Sequence, residues 1–205
     1  MERMDPRALE RLSYGMFLLT AQEGGRDNGC IINTAEQVTV APDRVIIAVN
    51  RSSLTCQMIE HTGQFTLSVL SVAAGFEIYR HFGMQSGHQT EKCTGRKDLI
   101  RAENGLYYLT GGSACAMLSG AVEQMFDADT HRLFLARVTE MQVLSAEAPA
   151  TYAFYHENVK PKKSGAQEKT GWRCRVCDYV FEGKELPADY ICPICGHGAA
   201  DFEPV

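Results

Sequence analysis

The chain has 205 residues, of which 45% are hydrophobic and 22% charged, and its formal net charge is −5. That balance fits a globular protein of one or two domains. There is no run of about 18 apolar residues to suggest a membrane-spanning helix. The only basic cluster, Lys160, Lys162 and Lys163, falls in a polar stretch, so nucleic acid is not an expected partner. The first residues, Met1 to Asp5, lack an apolar signal core, and a cytoplasmic location is expected.

In chain order, Asp5-Pro6 predicts a short helix reaching Leu12, with Asp5 as N-cap. Tyr14 to Ala21 reads as a strand, Glu23 to Asn28 as a turn-rich loop, and Gly29 to Val40 as an extended stretch. Ala41-Pro42-Asp43 turns the chain into a buried strand, Val45 to Val49. Ser53 to His61 is a predicted helix closed by Gly63, followed by a strand from Phe65 to Leu70 and a helix from Ala73 to Phe82. Gly83 to Lys97 is polar and glycine-bearing, the composition of a functional loop. Cys115 to Met125 and Leu133 to Leu144 form a hairpin around Asp127 to His131, and Tyr152 to Val159 is a tail. Many strands with few helices predict a mainly antiparallel barrel or sandwich over residues 1–160. Residues 161–170 are polar and read as a linker, and residues 171–205 as a separate domain.

That last segment carries the strongest motif. Cys174-Arg175-Val176-Cys177 and Cys192-Pro193-Ile194-Cys195 are two C-x-x-C units separated by 14 residues. Such knuckles bring four thiolates into one tetrahedron, which suits zinc or iron. A segment of about 35 residues buries too little apolar surface to fold without a staple, so a bound metal is expected. The spacing alone fits a zinc ribbon equally well. Trp172, Tyr179, Phe181, Tyr190 and Phe202 can wrap the site in an apolar shell, which tunes a redox potential.

With those residues the segment resembles rubredoxin, including Cys192-Pro193-Ile194-Cys195-Gly196 and the closing Asp201-Phe202-Glu203. The resemblance implies one iron bound by Cys174, Cys177, Cys192 and Cys195. Asp178 stands where that family has glycine, and the region between the knuckles is shorter. Six acidic residues against three basic ones from Gly171 onward would steer a basic redox partner.

The larger region has no dinucleotide fingerprint, P-loop or paired-histidine motif. Asn50-Arg51-Ser52-Ser53-Leu54-Thr55 lies where a strand passes into a helix, and its hydroxyls, guanidinium and free N–H groups could hold a phosphate. Taken alone it reads rather as an ordinary capped helix, with Ser53 as N-cap. Together with Arg11-Leu12-Ser13-Tyr14-Gly15, Asp27 to Thr34, Gln37-Val38-Thr39, Phe65 to Leu70 and Phe82 to Gly87, it resembles the flavin-reductase-like split-barrel family, the relatives of flavoredoxin. The resemblance implies FMN, with Asn50, Arg51, Ser53 and Thr55 on the phosphate. Ile32, Asn33, Thr34 and Gln37 would line the ring, and Ser86 and Gly87 would cover it. It also implies a homodimer.

A split barrel followed by rubredoxin is similar to the high-molecular-weight rubredoxins. That similarity implies electron flow from NADH or NADPH through FMN and iron to a redox partner, such as a flavo-diiron oxygen or nitric oxide reductase. The alternative is a free-flavin or ferric reductase with a regulatory or zinc-ribbon tail.

Overall fold

Leu18 and Leu19 are both fully excluded from solvent, although neighbours along a strand point to opposite faces. Their strand is therefore packed on both sides, and this sets the architecture. The computed structural model describes residues 6–161, 171–175, 179–193 and 198–205. Its elements are β1 (Phe17–Glu23), β2 (Arg26–Ile32), β3 (Ala35–Val40), β4 (Asp43–Asn50), α1 (Leu54–Thr62), β5 (Gln64–Leu70) and α2 (Phe76–Gly83). Then follow β6 (Leu99–Arg101), β7 (Tyr107–Leu109), β8 (Ala114–Ala128) and β9 (His131–Val143). Seven of these strands make one antiparallel sheet in the order β2-β1-β5-β8-β9-β4-β3.

β1 and β4 are far apart in that order, yet Phe17, Leu19 and Ala21 share one core with Val45, Ile47 and Val49. The sheet is thus curled on itself, and α1 adds Cys56, Met58 and Ile59 to the same core. A second core lies on the other face of β1. There Leu18 and Leu70 pack with Ile78, Tyr79 and Phe82 of α2, with Leu109 and with Tyr155. The mainly β architecture expected from the sequence is what folds.

Local signals explain most element ends. The Ser53 hydroxyl accepts from the Cys56 amide at 3.1 Å and starts α1. Gly63, at φ 68°, donates to Ile59 O and stops it.

Three expectations are corrected. The loop expected over Glu23 to Asn28 is a tight turn, because Gly24 and Gly25 both take positive φ, and β2 already begins at Arg26. The single extended stretch from Gly29 to Val40 breaks at Asn33-Thr34 into β2 and β3, which lie at opposite edges of the sheet. The tail from Tyr152 is helical, as Tyr152–Phe154 and then the wider turn Tyr155–Val159. Its Tyr155 ring is buried 4.5 Å from that of Tyr79, which fixes the turn. The first helix is a 3-10 turn, Pro6–Arg11, and its expected cap Asp5 lies outside the described residues, as does the linker beyond Pro161.

At the C-terminal end β10 (Trp172–Cys174), β11 (Val180–Phe181) and β12 (Phe202–Pro204) form a three-stranded sheet, in the order β11-β10-β12. Among the described residues no helix is long and apolar enough to cross a membrane.

Candidate functional site

The N-terminus of α1, the ends of β2 and β4 and the segment after α2 converge on a cavity of about 350 Å³. Ile32, Asn50, Ser53, Thr55, Ser86 and Gly87, all singled out by sequence, border it. A second cavity of about 510 Å³ shares Ile31, Ile32, Asn50 and Gly83 with the first and adds Asn33 and Tyr79. The end of β2 and the end of β4 thus border both cavities.

Three expected residues border neither. Thr34 Oγ1 donates to Asn33 Oδ1 at 3.2 Å. Gln37 projects from the exposed β3 and donates to Asp43 Oδ1 at 3.1 Å. The Arg51 guanidinium is paired with Asp127 Oδ2 at 2.8 Å, so the charge expected at the phosphate end is directed at a carboxylate.

The polar accounting shows what the cleft accepts. Asn28 Nδ2 donates to Thr55 Oγ1 at 2.9 Å, which fixes the amide's orientation. Its Oδ1 is then buried without a partner, a state that costs about 1–3 kcal/mol until a donor arrives. The Thr55 hydroxyl accepts from Asn28 and is also hydrogen-bonded to the Cys30 thiol. Ser53 Oγ accepts from the Cys56 amide and keeps its own proton to donate. That donor stands at the positive end of a helix, where an anion is favoured. The cleft therefore offers an anion site at one end, a hydroxyl acceptor beside it, and apolar walls from Ile31, Ile32 and Phe82.

The loop after α2 is pinned over this cleft. Arg26 Nη2 donates to Gly87 O at 2.7 Å, Arg26 pairs with Glu91, and His88 Nε2 lies 3.3 Å from Ser52 O. A Cβ at Gly87 would stand 2.4 Å from Asn28 Nδ2, so glycine is what allows the loop to close there. Lys92, 2% exposed, donates from Nζ to Gly29 O and Phe82 O at 3.0 and 2.9 Å. Burial pulls its ammonium pKa down and pushes the Cys30 thiol up. Asn28, Cys30, Phe82, His88 and Lys92 line the cavity without having been assigned from sequence. The glycine between Asn28 and Cys30 was the available signal, since its Cβ would meet Phe82 Cδ1 at 3.1 Å.

In the C-terminal segment Cys174 and Cys192 are buried with Phe202, and Trp172, Tyr179, Phe181 and Tyr190 pack around them. Two of the four expected thiols thus share an aromatic nest, a soft donor set suited to iron or zinc. Cys177 and Cys195 lie outside the described residues. The Tyr190 hydroxyl donates to that of Tyr179 at 3.2 Å, which holds the rings together. Arg173 is paired with Glu203 and neutralises part of the acidic surface. Cys192 and Pro193 also border the first cavity.

Comparison with known proteins agrees with both parts. Residues 9–163 match the flavin reductase like domain, and residues 172–203 the rubrerythrin, rubredoxin-like domain. The high molecular weight rubredoxin of Moorella thermoacetica is 32% identical over 98% of this chain and 100% of its own. The ferric-chelate reductase (NAD(P)H) of Archaeoglobus fulgidus is 30% identical over 78% of this chain and 93% of its own. In structure, the NADH:FAD oxidoreductase of Streptomyces globisporus superposes with a TM-score of 0.63, at 23% identity, over 73% of this chain and 91% of that one. The chain is an oxidoreductase of the flavin reductase like family that carries a rubredoxin-like domain at its C-terminus, the whole-chain arrangement of high molecular weight rubredoxin.

Proposed function

We propose that this protein is an electron relay: a reduced nicotinamide delivers a hydride to FMN in the cleft, and electrons leave singly through an iron held by Cys174, Cys177, Cys192 and Cys195. The observation that carries this reading is the cavity bordered both by the α1 N-terminus and by Cys192. A flavin supplies the conversion of a two-electron donor into single-electron output. The residues supply binding and exclusion of water. Ser53, Thr55 and Asn50 hold the phosphate, and Asn28 Oδ1 accepts from a hydroxyl of the ribityl chain. Ile32 and Asn33 border the ring, and Ser86 and Gly87 cover the cleft. Arg51 reaches the phosphate only by leaving Asp127, Thr34 stands in the backbone that joins β2 to β3, and Gln37 lies within β3.

A nicotinamide donor is supported by the Archaeoglobus relative, whose name specifies NAD(P)H. The electron acceptor is a redox protein such as a flavo-diiron oxygen or nitric oxide reductase, and the setting is the cytoplasm. A homodimer is supported by apolar side chains left exposed on β3, β8 and β9: Val38, Val40, Met125, Phe126, Met141 and Val143. A second reading, a ferric or free-flavin reductase with a regulatory or zinc-bearing tail, is favoured by the same relative, whose match covers 78% of this chain.

Anaerobic mixing of the protein from iron-replete cells with NADH or NADPH decides between them. The relay bleaches the flavin bands and then those of ferric iron. Colourless, zinc-loaded protein from such cells sinks the relay and leaves the reductase.

A further inference from the structure

Phenylalanine would fill the place of Tyr79 as well as tyrosine does. The residue is 2% exposed, and its ring lies 4.5 Å from that of Tyr155. That contact leaves the hydroxyl unused, and its oxygen is buried with no hydrogen-bond partner among the described residues. An unmet buried hydroxyl is a standing loss of stability. Burial also pushes its pKa to about 12, so the group is a neutral phenol with a proton to donate. The open side of the residue is the second cavity, of about 510 Å³, which it borders with Ile31, Ile32 and Asn33. The FMN reading assigns phosphate and ring to different stretches of this wall. Ser53 and Thr55 border the first cavity and not the second, Ile32 borders both, and Asn33 borders the second and not the first. A flavin with its phosphate at Ser53 and its ring at Ile32 and Asn33 therefore presents the ring to the cavity that Tyr79 borders. Met16, Met84 and Tyr152 supply further walls there, which suit a second flat ring.

We infer that Tyr79 orients the hydride donor: its hydroxyl donates a hydrogen bond to the carboxamide oxygen of the reduced nicotinamide. The inference rests on the FMN reading above. One flat ring slides freely over another, so stacking alone does not bring the donor carbon over its target, and a directional contact is needed. The carboxamide is the polar handle of the nicotinamide ring. In the reduced form the ring nitrogen feeds its lone pair through the double bond into that carbonyl, and the oxygen is electron-rich. In the transfer the C4–H bond of the donor breaks with both its electrons, and the hydride passes to the flavin ring. The nicotinamide leaves as a cation whose nitrogen no longer feeds the carbonyl. Tyr79 keeps its proton throughout. Its hydrogen bond is therefore stronger to the donor than to the spent product, so the same contact that orients the donor favours its exchange for a fresh one.

The test uses the full chain with iron in place. Equilibrium dialysis with FMN comes first: if the wild-type chain retains none, the FMN reading and this inference fall together. If FMN is retained, the loaded protein is titrated with the tetrahydro form of the nicotinamide dinucleotide, which keeps the electron-rich carbonyl and has no hydride to give. Tyr79→Phe should bind this form about five- to tenfold less tightly, the loss of one neutral hydrogen bond. Its affinities for the oxidised dinucleotide and for FMN should each change by less than about twofold. With whichever of NADH and NADPH reduces the wild type, KM should rise by the same factor while the rate at saturation changes little. The inference is overturned if the wild type does not bind the tetrahydro form, or if folded Tyr79→Phe binds it as tightly as the wild type does. Either result leaves the FMN reading intact. A loss of FMN affinity as large as that for the tetrahydro form also overturns it, because the hydroxyl then serves the flavin. If the phenylalanine variant does not fold, the wild type decides with the reduced thionicotinamide dinucleotide, whose sulfur is a poor acceptor. Its KM should exceed that of the unmodified donor at least about fivefold, and equal values overturn the inference.

Discussion

Asn28 on β2 and Thr55 on α1 are joined by a side-chain hydrogen bond of 2.9 Å, and the bond leaves Asn28 Oδ1 buried and unpaired beside the cavity. The pair links the inner wall of the cleft to the helix that forms its anion end. It also fixes which atom remains to meet a ligand, the acceptor on Asn28.

Thr55→Val keeps the shape and removes both functions of the hydroxyl. FMN binding should weaken by about 1.5–3 kcal/mol, the worth of a hydrogen bond to a charged group, while the iron spectrum stays unchanged. Arg51→Ala should cost less, about 0–1 kcal/mol, because the guanidinium is half exposed and already held by Asp127. Fluorescence titration of FMN with both variants checks this. An Arg51→Ala loss as large as that of Thr55→Val would mean that arginine leaves Asp127 when the phosphate arrives.

How far the sequence alone leads depends on the range of the interaction. The limits of α1 were legible because Ser53 and Gly63 act on amides and carbonyls within four residues. The C-x-x-C units were legible for the same reason. The Asn28–Thr55 bond spans 27 residues and has no local signature. Arg51 looked like a phosphate ligand beside a helix start, yet Asp127, 76 residues away, takes its guanidinium. Lys92 sits in the polar, glycine-bearing run that reads as a functional loop, and only the fold turns it under the carbonyls of Gly29 and Phe82. The edge strands β2 and β3 read as one stretch because nothing in Asn33-Thr34 marks a break. The curl of the sheet imposes it.

Tyr79 offers an independent probe of the second cavity. Its hydroxyl is buried without a partner, and burial pushes its pKa to about 12, so it is a neutral phenol at physiological pH. Tyr79→Phe removes a polar group whose burial costs about 1–3 kcal/mol. The ligand-free protein should melt at the same temperature or higher. If a bound ligand uses the hydroxyl, that gain should vanish once FMN is added. Thermal unfolding with and without FMN reads both effects, and a destabilised ligand-free variant would show that the hydroxyl has a partner after all.

Trp172 is the only tryptophan in the chain and packs against the nest that holds Cys174 and Cys192. Its emission therefore reports on the C-terminal domain alone. Stripping the metal, or the substitution Cys192→Ser, should shift that emission to the red as the nest opens to water. FMN binding should persist. Unchanged emission in metal-free protein would mean that the segment folds by its aromatic contacts and that the metal is not its staple.

Removal of the C-terminal domain separates binding from delivery. Both cores of the larger region are built from residues up to Val159, and no described residue beyond Pro161 contributes to either. A chain ending at Lys163 should therefore fold, bind FMN and still be reduced by its nicotinamide donor. Its transfer to a protein acceptor should collapse, because the one-electron step through the four cysteines is gone. Shortening the segment from Ser164 to Thr170 in the full chain should slow that transfer and leave both cofactor spectra alone, since neither site loses a ligand. Stopped-flow spectroscopy with the donor, followed by acceptor reduction assays, distinguishes the steps. If the truncated chain reduces the protein acceptor as fast as the full chain does, electrons leave directly from the flavin and the metal domain serves another purpose.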